Sequence, residues 1–194
     1  HFFHRWTSKM LHTEVLHVGP TGSALSLGGM KLHLRLHPEG QSATGLMIAD
    51  PCFTSRGGVP CPNGQRFQVL KHLTEVLNVL LGSDEVHFWG LLGNAFYDQN
   101  GSISSEFFER LSVPAKLKPL LAVPGNHDFW ADGQPPGSGA DPLGYGFMQF
   151  YGQDTVAATP ALPFNFSSSP HSLQLAQMEN FVFGSQIGDM AFFG

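Results

Sequence analysis

Three short stretches gather the residue types that could do metal or hydrolytic chemistry: "MIADPC" at 47–52, "GLLGNAFYDQNG" at 90–101 and "AVPGNHDFW" at 122–130. In the third, Asn126 offers an amide oxygen to a cation and His127 an imidazole for proton transfer, while Asp128 is a carboxylate able to orient that imidazole. In the first, Asp50 is a hard anionic ligand, and Cys52 two residues later is a thiol whose thiolate prefers softer ions such as zinc. In the second, Asn94 follows Gly93 directly after an apolar run. Plainer roles stay open beside these: Asn94 suits a turn, and Asp50 suits a loop start with no ligand duty.

The flanking sequence says how such residues would be positioned. "TGLMIAD" (44–50) is a continuous apolar run ending in an acid, the pattern of a strand buried on both faces. "FQVLKHLTEVLNVLL" (67–81) sets Leu70, Leu73, Leu77 and Leu80 on one stripe with Lys71, Glu75 and Asn78 off it, so an amphipathic helix is predicted, ending near Gly82 with His72 on its surface. "VHFWGLL" (86–92) reads as a second strand, "SSEFFERL" (104–111) as a short helix and "PLLAVPG" (119–125) as a third strand. Strand, helix, strand, helix, strand is an α/β order in which parallel strands bring their carboxyl ends together, and it predicts that Asp50, Asn94 and Asn126 meet at one sheet edge.

Upstream, 24–37 alternates after its Gly pair, with Leu32, Leu34 and Leu36 on one side and Lys31, His33, Arg35 and His37 on the other, a half-buried strand. Its basic residues stand roughly 6 to 7 Å apart along one face, too spread for a ligand set, and are assigned to solvent or a partner. Downstream, 131–143 is read as an excursion loop and 144–157 as a short helix or packed aromatic segment. Residues 181–194 are read as two strands joined by a tight turn at Gly188-Asp189.

A chain of 194 residues that is 42% hydrophobic suits one domain with a substantial core. Charged residues are only 13% and the net charge is -5, so no broad basic field is available for nucleic acid or an anionic membrane. No apolar run approaches the roughly 18 to 20 residues of a membrane helix. Cys52 and Cys61 share one Gly/Pro-rich loop, where a disulfide, two free thiols and a metal role all remain open. The opening "HFFHRWTSKMLHT" has no acid before Glu14 and is read as an ordinary frayed terminus or as resembling the remnant of an organelle (mitochondrial) leader, which leaves the compartment open.

The three blocks together resemble the calcineurin-like metallophosphoesterases, whose first half shows Asp-x-His, then Gly-Asp, then Gly-Asn-His-Asp/Glu, each at a strand end. The resemblance covers 44–194, leaving 1–43 as an N-terminal extension with an amphipathic strand. It is closest to a branch whose later blocks read much like "GNAFYDQNG" and "PGNHDFW", followed by a segment like "YGFMQFYGQDTVA" (145–157). It implies an αββα sandwich of which this chain supplies the N-terminal half. It also implies Asp50 as a ligand of one metal ion, Asn94 at the position bridging two ions and Asn126 as amide ligand of the second. His127 falls at the phosphate or leaving-group oxygen, and Asp128 behind it.

Three departures weigh against that chemistry. Cys52 stands where the family has a metal-binding His. Asn94 stands where it has a bridging Asp, and two dications about 3.5 to 4 Å apart repel by roughly 20 kcal/mol at an effective dielectric of 20, which a neutral amide does not offset. The family's later Gly-His-x-His block has no counterpart, since only His171 follows Asp128. The expectation is therefore no cofactor, or one weakly held divalent metal (Zn, Mn or Fe) on Asp50, Asn126 and Cys52, and no two-metal centre. On this reading the chain is a degenerate phosphoesterase homologue serving as an accessory subunit among other protein subunits. The alternatives are the N-terminal part of an active metal-dependent phosphoesterase acting on a small phosphate ester, and a phosphate-ligand binding module without turnover.

Overall fold

The computed structural model describes residues 18–19, 21–27, 29–38, 40–53, 61–98, 101–130, 147, 151 and 184–193. The chain is mixed α/β. Its centre is a parallel sheet of three strands, β3 (Gly45–Ile48), β4 (Phe88–Leu92) and β5 (Leu120–Val123), in the spatial order β3-β4-β5. A hairpin of β1 (Ser23–Leu27) and β2 (Met30–Leu34) precedes it, and a second hairpin, β6 (Gly184–Ile187) with β7 (Met190–Phe193), follows. The sequence order of strands and helices in 44–125 is therefore found as expected, and so is the 181–194 hairpin, with Gly188 at φ 58 in its turn.

The connections are helical. Helix α1 (Pro62–Arg66) and helix α2 (Val69–Gly82) link β3 to β4; α3 (Ser102–Arg110) and the single turn α4 (Val113–Lys116) link β4 to β5. On α2 the buried stripe is Leu70, Leu73, Leu77 and Leu81 with Thr74, not Leu80. At about 100° per residue, eleven positions carry Leu81 to within roughly 20° of Leu70, whereas Leu80 lies some 80° away. Leu81 is fully buried and Leu80 is 38% exposed accordingly. Asn78 fastens α2 to the end of α3, donating to Arg110 O (3.0 Å) and accepting from Ser112 N (2.7 Å).

Period-two alternation sorts β4 between two layers. Trp89 and Leu91 face the helices, packing with Leu77, Leu81, Phe96 and Phe107. Phe88 faces the other way, meeting Leu121 and, across a 4.9 Å ring contact, Phe192 of β7. The layers are helices, parallel sheet and hairpin. Phe147 and Tyr151, in helical conformation, join the helix-side core, and Tyr151 shares a 2.8 Å hydrogen bond with Ser104. The remainder of 131–157 lies outside the described residues, as do 1–17 and His171.

Two further expectations are corrected. β3 is not buried on both faces: it lies at the sheet's edge, and Met47 is 42% exposed. The strand expected across 24–37 is folded into a hairpin with Gly29 at φ 83, and β2 ends at Leu34, so Leu36 is exposed instead of joining Leu32 and Leu34. No described helix is long and apolar enough to cross a membrane.

Candidate functional site

The carboxyl ends of β3, β4 and β5 converge as their parallel order requires. Asn94 Nδ2 donates to Asp50 Oδ1 at 2.6 Å, and the Tyr97 hydroxyl donates to the same oxygen at 2.7 Å. From the third loop, His127 N donates to Asn94 Oδ1 at 3.0 Å, and the His127 ring lies 4.6 Å from that of Tyr97. Asp50, Asn94, Tyr97 and His127 thus form one hydrogen-bonded group spanning all three loops. Asn126, beside His127, is exposed, and no described residue hydrogen-bonds its side chain to this group.

Holding these side chains together requires unusual backbone. Five described non-glycine residues have positive φ, and four of them, Asp50 (50°), Asn94 (49°), Phe96 (66°) and Tyr97 (54°), lie in the first two loops. Asp and Asn tolerate this region through local hydrogen bonding; aromatic residues adopt it only under constraint from their surroundings. That constraint is visible for Phe96, which is fully buried, stacked 4.9 Å from Phe53 and tilted against Phe107 at 4.3 Å. Glycine is needed where the loops touch: a Cβ on Gly125 would collide with the Asn94 side chain, and Gly93, at φ 84, packs against Gly125.

Asp128 has a different task from the one its position suggests. The sequence places it behind His127 as the orienting acid. In the structure it is only 4% exposed, and its two oxygens accept from Ala95 N (2.8 Å) and Gly125 N (2.6 Å). A buried carboxylate is stable only with donors on its oxygens, and the nearest donors are the main chains of the second and third loops. Asp128 is accordingly a clamp joining those loops. Burial pushes its carboxyl above the ordinary value, opposed by N–H groups of Gly125, Ala95 and Asn94 and by the charge of His127.

Asp50 moves the other way. Hydrogen bonds from Asn94 and then Tyr97 hold its carboxyl below the ordinary value, with the His127 charge acting in the same direction. Tyr97 is the counterpart: its bond to Asp50, followed by burial, raises its phenol. Tyr97 was not singled out from sequence, because an aromatic residue three places after an Asn carries no chemical signal of its own. Asp98 was missed too; it accepts from Gly101 N (3.0 Å) and Ser104 N (2.7 Å) and closes the amino end of α3.

Cys52 is joined to Cys61 in a disulfide with a Cα–Cα distance of 5.6 Å, which resolves the open pairing and corrects Cys52 as a ligand: no thiolate remains to bind an ion. The orientation of the Asn94 amide is set by its partners, since a backbone N–H must meet its oxygen and Asp50 must meet its NH2. Asn94 therefore presents N–H toward Asp50 and its carbonyl oxygen toward the third loop. Among the described residues, no group of three His, Cys, Asp or Glu could hold an ion. Comparison with family models, curated proteins and solved structures returns no match for the chain.

Proposed function

We propose that this chain is a calcineurin-like phosphoesterase homologue without turnover, in which the cleft at the carboxyl edge of the sheet has become a hydrogen-bonded structural junction and the protein serves as an accessory subunit of a larger assembly. The observation that carries the reading is the Asn94 amide, which donates to Asp50 at 2.6 Å while its oxygen accepts from His127 N. A carboxylate at position 94 would need a cation beside Asp50; the amide replaces that cation with its own N–H. At most one weakly held divalent ion belongs to this reading. The αββα sandwich is part of the same proposal, supported by the layering of helices, parallel sheet and hairpin.

The accessory role is supported by the outer face of α2. Val79 and Leu80 each stand one turn from Val76 on one side of the helix, and Val79 is 73% exposed. An apolar stripe of this kind is unusual on a surface meant for water. The experiment is elemental analysis of the purified, dialysed protein, with p-nitrophenyl phosphate hydrolysis and native size measured in parallel. Expected are less than one equivalent of metal per chain, no hydrolysis and a native mass well above that of the chain. Two equivalents of transition metal per chain, with turnover, would overturn the proposal.

A further inference from the structure

The opposite, amino-terminal end of the parallel sheet carries a second cleft, of about 440 Å³. His87 immediately precedes β4 and Lys118 lies two residues before β5, while Arg35 and His37 reach the same place from the chain after β2. Asp84 is the carboxylate among its described residues, and Leu36 and Pro38 add an apolar wall. Among the described residues, four groups that are or can become cationic thus share the cleft with one acid, in a chain whose net charge is -5. Among the described residues, the salt bridges are Lys71–Glu75 and Glu106–Arg110, so neither Arg35 nor Lys118 is neutralised by a described carboxylate.

The hydrogen bonds fix how these groups are presented. Lys118 Nζ donates to Ser83 O at 3.0 Å, which holds the ammonium at the cleft with two N–H bonds left over. His87 Nδ1 accepts from Thr44 N at 2.8 Å, so the neutral ring carries its proton on Nε2 and remains a donor there. His37 Nε2 donates to Ser42 O at 3.0 Å, since a carbonyl can only accept. The two imidazoles lie 3.9 Å apart, and burial, His37 and Lys118 together lower the His87 pKa. An anion in the cleft would offset the part of this lowering that comes from neighbouring charge.

We propose that this cleft binds a phosphate monoester, its dianionic head held by Arg35, Lys118 and the Nε2–H of His87 and its organic part against Leu36 and Pro38. A planar guanidinium and an ammonium with free donors match a tetrahedral dianion. The cleft falls within the roughly 300 to 1,000 Å³ of small-molecule sites, which leaves room for more than the head group. The assignment does not depend on the reading of Asp50 and Asn94, which lie at the other end of the sheet.

The test is calorimetry on the full chain with phenyl phosphate and inorganic phosphate at constant ionic strength. Phenyl phosphate is expected to bind one per chain and more tightly than inorganic phosphate. Arg35→Ala and Lys118→Ala should each weaken it by about ten-fold or more, the loss of one charge-assisted hydrogen bond. Asp84→Asn should tighten it, and Asp50→Asn should leave it unchanged. Arg35 is exposed, so its replacement is not confounded by folding. No saturable binding of either probe, affinity unaffected by Arg35→Ala, or loss of binding in Asp50→Asn would overturn the site. Equal affinity for the two probes would overturn the ester and leave a free oxyanion.

Discussion

The two ends of the parallel sheet handle charge in opposite ways. At the carboxyl edge, Asp50 is answered by Asn94 and Tyr97, and Asp128 by the main chain of two loops, so the acids are satisfied from within. At the amino edge, Arg35, Lys118 and two imidazoles line one cleft, and no described acid forms an ion pair with Arg35 or Lys118. The first arrangement is closed upon itself and has the character of a joint. The second leaves charge unanswered, as a receptor does. Candidate chemistry is thus better sought where charge is left over than where catalytic residue types are assembled.

The largest effect that would break this contrast is expected at Asp128. Asp128→Ala leaves two loop N–H groups without their acceptor and should cost about 3 kcal/mol or more in unfolding free energy, read as a lower urea midpoint. A small loss would mean that the carboxyl edge is not held by this clamp. Next is the disulfide between Cys52 and Cys61, nine residues apart. Replacing both with Ser should lower stability by about 2.5 kcal/mol through the freed loop, read by the same denaturation.

Asn94→Asp sharpens the contrast most directly. It sets two carboxylates side by side without the bridging N–H, and should lower the melting temperature at neutral pH by a few degrees, about 1 to 2 kcal/mol. Added manganese should restore the loss in this variant and do little to the unsubstituted chain. Equal responses to manganese would show that the amide is not what excludes the ion.

Smaller is the acid limb of stability. The Asp50 carboxyl is lowered in the folded chain, so its contribution is present above the ordinary value of 3.8 and is lost as pH falls through the folded value. Asp128, raised by burial, works in the opposite sense, its contribution declining as pH rises through its folded value. Combining Asn94→Ala with Tyr97→Phe should therefore flatten the Asp50 part of the profile below pH 4, measured by urea midpoints across that range. Smallest is the Tyr97 phenol: Asp50→Asn should lower its pKa toward the ordinary value, seen by ultraviolet titration.

Much of the frame was legible because local pattern and long-range packing agree there. The apolar runs at 86–92 and 119–125, the periodicity of α2 and the turn at 188–189 each specify one answer, and the convergence of three strand ends follows from their order. What escaped depended on partners distant in sequence. Asp128 sits where an orienting acid would, but its burial beneath Ala95 and Gly125 recruits it to the main chain. Cys52 could not be paired until the chain returning through Cys61 was placed. The amino-edge cleft was half visible in the basic face of 31–37; only Arg35 and His37 of that face take part, joined by His87 and Lys118 from other strand starts.

The central strand β4 runs between these ends, with His87 just before it and Asn94 just after. Five residues at about 3.3 Å each hold the two more than about 13 Å apart, beyond a screening length of about 8 Å at physiological salt. β4 is thus an insulating spacer as well as the middle of the core. Losing or acquiring a charge at one terminus leaves the other undisturbed, so Asn94→Asp is expected to leave the surroundings of His87 unchanged.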